Sequence, residues 1–148
     1  MTRMDAPALP FQAAAAALRE RDERLREAID LVGPCTLVPA KRSPYEALLS
    51  AIAHQQVHGA AAAAILGRMQ KLYADSRAAN GRYPTPDELL GTPDERLRAA
   101  GLSRSKVLAM KDVAARTLDG TVPDRRTIAR LDEGAIVERL VVVRGVGG

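Results

Sequence analysis

Apolar residues in this chain recur at helical spacing, in blocks separated by capping signals. Leu18, Leu25, Ile29 and Val32 form one stripe, which predicts a helix from Phe11 to about Leu31 ended by Gly33-Pro34. Cys35 to Arg42, with Pro39 inside it, reads as a connector. Ser43-Pro44-Tyr45-Glu46, Thr85-Pro86-Asp87-Glu88 and Thr92-Pro93-Asp94-Glu95 share one arrangement. A hydroxyl cap sits three residues before a glutamate, with proline at the position that needs no donor. The first opens a helix through Leu48, Leu49 and Ile52 towards Gln55-Gln56. His58-Gly59 marks a break, and a second helix runs from Ala60 to Tyr73. Ala74 to Pro84 is a polar loop followed by two short helices. Ser103 caps a longer helix with Val107, Met110, Ala114 and Leu118 on one face. A short helix falls at Arg126 to Leu131, and the last, Asp132 to Val143, runs into Gly145-Val146-Gly147. Val141 to Val143 is the one β-branched run, and it continues a helical pattern.

Composition sharpens this picture. The chain has 148 residues, 47% of them apolar, but alanine dominates and Phe11, Tyr45, Tyr73 and Tyr83 are its only aromatics. Alanine favours helices and buries little area, which predicts an all-α fold of closely packed helices. A single cysteine, Cys35, excludes a disulfide framework and points to a reducing compartment. No apolar run approaches the roughly 20 residues that span a bilayer. The expectation is a cytoplasmic protein, nucleoid-associated if bacterial, with no membrane role.

The net charge of +4 is mild, but its distribution is uneven. Arg96, Arg98, Arg104, Lys106, Lys111 and Arg116 share one stretch with a single acid, Asp112. This reads either as a solvated helix face or as a nucleic-acid surface. Gly145-Val146-Gly147 has two readings as well: a helix stop, or a turn whose bare amides hold an anion. His54-Gln55-Gln56-Val57-His58 offers amides that can read base edges or fill a gap in a duplex. Equally, these residues are caps at a helix junction. The spacing of the two histidines would suit a metal, but no acid stands among them as a further ligand. No Ser/His/Asp order, nucleotide loop or cysteine pair is present, so these residues display no complete catalytic site.

Taken in order, several segments resemble one family. They are Asp22-Glu23-Arg24-Leu25, Ser43-Pro44-Tyr45-Glu46-Ala47-Leu48, Ala51-Ile52-Ala53-His54-Gln55-Gln56-Val57, Tyr83-Pro84-Thr85-Pro86-Asp87-Glu88-Leu89, Leu97-Arg98-Ala99-Ala100-Gly101-Leu102-Ser103, Ser105-Lys106 and Leu140 to Gly147. From about residue 22 onwards the chain resembles the 3-methyladenine glycosylase II branch of the helix-hairpin-helix DNA glycosylase superfamily. The order and spacing of the segments make the resemblance specific. It implies an all-helical, monomeric base excision repair enzyme, without cofactor, that grips double-stranded DNA by the minor groove. Such an enzyme flips out an alkylated purine and hydrolyses its N-glycosidic bond.

Carried over by position, Gly145, Val146 and Gly147 would be the hairpin that holds a DNA phosphate. The carbonyls of Gly145 and Gly147 would be candidate ligands of a monovalent cation. Gln55, Gln56 and His58 would lie where the family wedges the duplex and plugs the space left by the flipped base. Ser105 and Lys106 would face DNA. The departure is at the end. The family continues past the hairpin with a Trp-Thr-Ala helix start, pocket aromatics and a catalytic aspartate. Glycosylase/lyases of the superfamily place a lysine there, some with an iron–sulfur cluster. The reading is therefore a frayed tail at 1–10 and, at 11–148, the N-terminal and central part of a truncated glycosylase domain whose C-terminal helices are missing. Catalytic activity is not expected of the chain alone. Ile136, Leu140 and Val143 are expected to be left uncovered, favouring marginal stability and self-association. The alternatives are a non-catalytic helix-hairpin-helix DNA-binding module, or a helical interaction protein with no nucleic-acid role.

Overall fold

The computed structural model describes residues 10–37 and 41–147. Residues 1–9 of the expected tail, the Pro39 part of the connector and Gly148 lie outside them. Every regular element among the described residues is a helix. Extended backbone pairs there in a single antiparallel bridge, Asp75 with Ala78. No helix among the described residues is long and apolar enough to cross a membrane. The chain divides into two units, residues 1–41 and 42–148.

In the first unit the helix expected from Phe11 to Leu31 is two helices, α1 (Pro10–Arg21) and α2 (Glu23–Val32). The break is chemical. Asp22 takes an extended backbone and its carboxylate accepts the Leu25 N–H at 3.0 Å, starting a new helix inside a charged run that has little apolar surface to hold one straight. Arg19 and Asp30 tie the two helices with a 2.6 Å ion pair. α2 buries none of its residues.

The second unit holds α3 (Pro44–His54), α4 (Gly59–Lys71), α5 (Pro86–Gly91), α6 (Asp94–Ala99), α7 (Arg104–Leu118), α8 (Arg125–Ile128) and α9 (Glu133–Val141). Leu49 and Ile52 of α3, Met69 of α4, Leu89 of α5, Leu97 of α6 and Val107, Met110 and Val113 of α7 are almost wholly buried in one core. α3, α5 and α6 all pack on α7. Two capping boxes form as expected, Ser43 with Glu46 and Thr85 with Glu88. The third does not. Thr92 instead turns its hydroxyl inward, donating to the Glu88 carbonyl at 2.7 Å and meeting the Tyr73 hydroxyl at 2.8 Å. Arg82 closes the polar loop by binding Glu88 through both terminal guanidinium nitrogens and Asp75 through Nε.

At the end of α9 the chain folds into a tight hairpin. Asp132 caps its start, and Val142 ends it. The Val143 N–H bonds the Leu140 carbonyl and the Val146 N–H bonds the Val143 carbonyl, each at 3.1 Å. Val143 is buried, and Leu140 and Val146 pack against the same core. Of the three residues expected to be uncovered, Ile136 is half-buried and outside that core, and the exposed large apolar residues of this region are instead Val137, Val141 and Val142. Both glycines are required, for separate reasons. Gly145 has φ +78°, while a Cβ on Gly147 would stand 2.6 Å from the Val141 carbonyl oxygen.

Two tests follow from these contacts. Gly147→Ala overfills the turn, a cost of about 1–3 kcal/mol, so amide exchange at Val146 should accelerate about tenfold; an unchanged rate would show that the turn tolerates a methyl group. Glu88 is held well below the usual glutamate range, at about 2, by the Arg82 guanidinium and the Thr85 N–H. A depressed carboxylate stabilises the fold above its ordinary value of 4.5 and loses that contribution as pH falls through about 2. Its partial exposure keeps the effect small. Urea midpoints measured from pH 5 to pH 2 should fall less steeply for Glu88→Gln than for the unaltered chain.

Candidate nucleic-acid interface

The connection between α3 and α4 is short and irregular. Its path is set by two anchors. The Ala53 carbonyl, near the end of α3, accepts the Lys106 ammonium at 2.8 Å, a cation where the helix dipole favours one. Gln55 then leaves the helix in an extended conformation, and Gln56 follows with φ +56°. Among the described residues Gln56 is the only non-glycine in the left-handed region, a conformation that costs about 1–2 kcal/mol. Gln56, Val57 and His58 are exposed. His58 stands at the start of α4 without capping it through its side chain.

This connection meets the hairpin. Gln55 Nε2 donates to the Gly145 carbonyl at 2.7 Å across ninety positions of sequence. From α7, Asp112 Oδ2 accepts the Arg144 N–H at 2.8 Å and also the Arg116 Nε at 3.0 Å. With the Arg144 and Val146 amides so engaged, the N–H groups of Gly145 and Gly147 have no protein acceptor among the described residues. Free amides on either side of one residue in such a turn can serve together as donors to an anion.

Beside the hairpin lies an open cleft of about 440 Å³. Gln55, Gln56, Ser105, Lys106, Arg144 and Gly145 supply its polar lining, over a floor of Ile52, Ile65 and Ala109. No carboxylate lines it. Burial lowers the tendency of the Lys106 amine to hold its proton. The Ser105 and Ser103 hydroxyls are 3.0 Å apart.

Of the residues singled out in the sequence, Gln55, Gln56, Ser105, Lys106 and Gly145 converge on this cleft, whereas His58, Val146 and Gly147 do not line it. The Gly145 carbonyl, a candidate cation ligand, accepts one hydrogen bond from Gln55 Nε2, which leaves its second lone pair. His54 Nδ1 bonds the Ser50 carbonyl at 2.7 Å, and no metal-ligating cluster occurs among the described residues.

The basic stretch divides in two. Lys111 is bound by the Thr92 carbonyl and Asp94, and Arg116 by Asp112. Arg96, Arg98 and Arg104 make no side-chain contact of this kind among the described residues. Asp112 is the residue that sequence reasoning missed. It stood out as the lone acid among six basic residues, and its pairing with Arg116 four residues on follows helical spacing, but its second partner is the Arg144 backbone amide, which no side-chain pattern reveals.

Residues 49–144 match the family described as the HhH-GPD superfamily base excision DNA repair protein. DNA-3-methyladenine glycosylase 1 of Schizosaccharomyces pombe is 34% identical over 128 residues, 85% of this chain and 54% of that protein. The alkylbase DNA glycosidase-like protein mag2 of the same organism is 30% identical, over 84% of this chain and 57% of that protein. The chain thus spans little more than half the length of these relatives. Among solved structures, S. pombe 3-methyladenine DNA glycosylase (Mag1) in complex with abasic DNA superimposes with a TM-score of 0.81 at 34% identity, covering 91% of this chain and 64% of that one. DNA-3-methyladenine glycosidase from Bacillus halodurans gives 0.71 at 28% identity, covering 97% and 59%. The all-helical fold agrees with both, and the chain belongs to the HhH-GPD superfamily of base excision DNA repair proteins.

Proposed function

We propose that this chain provides the DNA-gripping portion of a monomeric glycosylase that removes alkylated purines from duplex DNA. The observation that carries this reading is the pair of free hairpin amides, Gly145 and Gly147, beside a cleft lined by Gln55, Gln56 and Lys106. The amides, flanking Val146, take a backbone phosphate. Gln56, presented by its left-handed backbone, enters the stack with His58 beside it and occupies the space of the flipped nucleotide. Ser105 and Lys106 face the sugar-phosphate backbone. Working on chromosomal DNA, the protein belongs to the cytoplasm, associated with the nucleoid if the source is bacterial.

Hydrolysis of an N-glycosidic bond builds positive charge on the sugar as the base departs. A fixed carboxylate lowers that barrier most in a dry pocket. The cleft has no acid in its lining, so these residues supply grip and base extrusion without the charge-stabilising group. The same observation favours a second reading, a helix-hairpin-helix module that binds DNA and performs no chemistry.

Fluorescence anisotropy and a base-release assay separate the readings. The chain should bind duplex DNA with log K falling linearly in log salt, by about 0.9 per phosphate contacted. Gly147→Ala should reduce affinity about tenfold and the slope by about one. Gln56→Ala should lower the preference for a duplex with an abasic-site analogue over an intact one, with little change in slope. No base release from methylated DNA is expected of the 148 residues alone. Release would show that a reacting group lies within them, and salt-independent binding would overturn the DNA reading altogether.

A further inference from the structure

We propose that Gln55 and Asp112 are positioning residues that hold the hairpin backbone through the Gly145 carbonyl and the Arg144 amide, so that the Gly145 and Gly147 amides remain free for a phosphate. This inference rests on the DNA-gripping reading and deepens it. A hairpin of five residues has too few internal bonds to orient its own peptide planes. Here there is one, Val146 N–H to the Val143 carbonyl, besides the bond that ends α9. The two peptides joined by that bond are held from outside at their other ends, the Gly145 carbonyl by a glutamine at the end of α3 and the Arg144 N–H by an aspartate in the middle of α7, on either side of the peptide that carries the Gly145 N–H.

The chemistry of the two holders is complementary. Gln55 presents a donor to the Gly145 carbonyl. Asp112 removes a donor, Arg144 N–H, that a phosphate would otherwise share. A carboxylate so near an anion site would repel its ligand, and the Arg116 guanidinium on the same Oδ2 atom offsets that charge. Gln55 also adjoins Gln56. The grip on the backbone and the residue entering the duplex are thereby joined by a single peptide bond, and a hairpin filled by phosphate holds Gln56 at a fixed height above the base stack.

The variants Gln55→Met, which keeps side-chain length and lacks the donor, and Asp112→Ala and Asp112→Asn are compared with the unaltered chain. Urea midpoints serve as the folding control. Without DNA, amide exchange at Arg144 should accelerate at least fivefold in Asp112→Ala, and at Val146 at least fivefold in Asp112→Ala and Gln55→Met. In Asp112→Asn, which still offers an acceptor oxygen, both rates should stay within about twofold of the original. With duplex DNA, Gln55→Met and Asp112→Ala should lower the salt slope by about one, and in a Gly147→Ala background neither should lower it further.

Salt-dependent binding by the unaltered chain, with exchange and slope unmoved in Gln55→Met and Asp112→Ala, overturns this inference alone. A loss of affinity in Gln55→Met at constant slope, additive with Gly147→Ala, makes Gln55 a direct base contact and overturns it too. Failure of the unaltered chain to bind DNA in a salt-dependent way overturns both this inference and the function on which it rests.

Discussion

The hydrogen bond from Gln55 to the Gly145 carbonyl joins two irregular segments that neither helix propensity nor apolar packing could place relative to each other. Each is short, exposed and costly in backbone terms. Gln56 carries a left-handed conformation with a side chain, and the hairpin needs one glycine for its torsion angle and another for want of space. Strain of this kind persists only where the surroundings over-determine it. The surroundings here are the Lys106 ammonium on the last turn of α3, the Gln55 amide, and the Asp112 carboxylate. All three are long or polar side chains reaching main-chain atoms, so the site is held by backbone recognition.

α7 is the element that makes this economy possible. Its apolar face, through Val107, Met110 and Val113, is the wall on which α3, α5 and α6 rest. The same helix sends Lys106 to the end of α3 and Asp112 to the hairpin, six residues apart. A rigid helix of 15 residues thus fixes the distance between both halves of the interface. A change that tilts α7 would move the connection and the hairpin together, whereas a change in either loop alone acts locally.

The helices were legible because their signals are local. A serine or threonine three residues before a glutamate, proline after the cap and a stripe at 3.6 spacing each act within one turn, and α3, α5 and α7 begin where those signals stand. The two errors have different causes. A tertiary contact won at Thr92, which abandons its box for a buried pairing with Tyr73, whereas at Asp22 a local cap splits a helix that composition alone would continue. At the site, the residues that converge on the cleft were found through their resemblance in order and spacing. Their mutual bonds were not, because a side chain meeting a backbone atom ninety positions away leaves no trace in residue types. The basic stretch shows the same limit: three of its six cations are engaged within the fold, and charge counting cannot say which.

Holding DNA and breaking a glycosidic bond make opposed electrostatic demands, and the cleft displays one side of that opposition. Phosphate is attracted by donors and cations, and on the proposed function these are the free amides of Gly145 and Gly147 with Lys106 nearby. A sugar cation is stabilised by an acid that repels phosphate at close range. The one acid near the hairpin, Asp112, is tied to an arginine and a backbone amide and does not line the cleft. It is thereby neutralised as a repulsive charge and equally disabled as a catalytic one. On the proposed function, a glycosylase built on this scaffold brings its reacting carboxylate to the flipped sugar from elsewhere than this cleft, whose lining holds no acid.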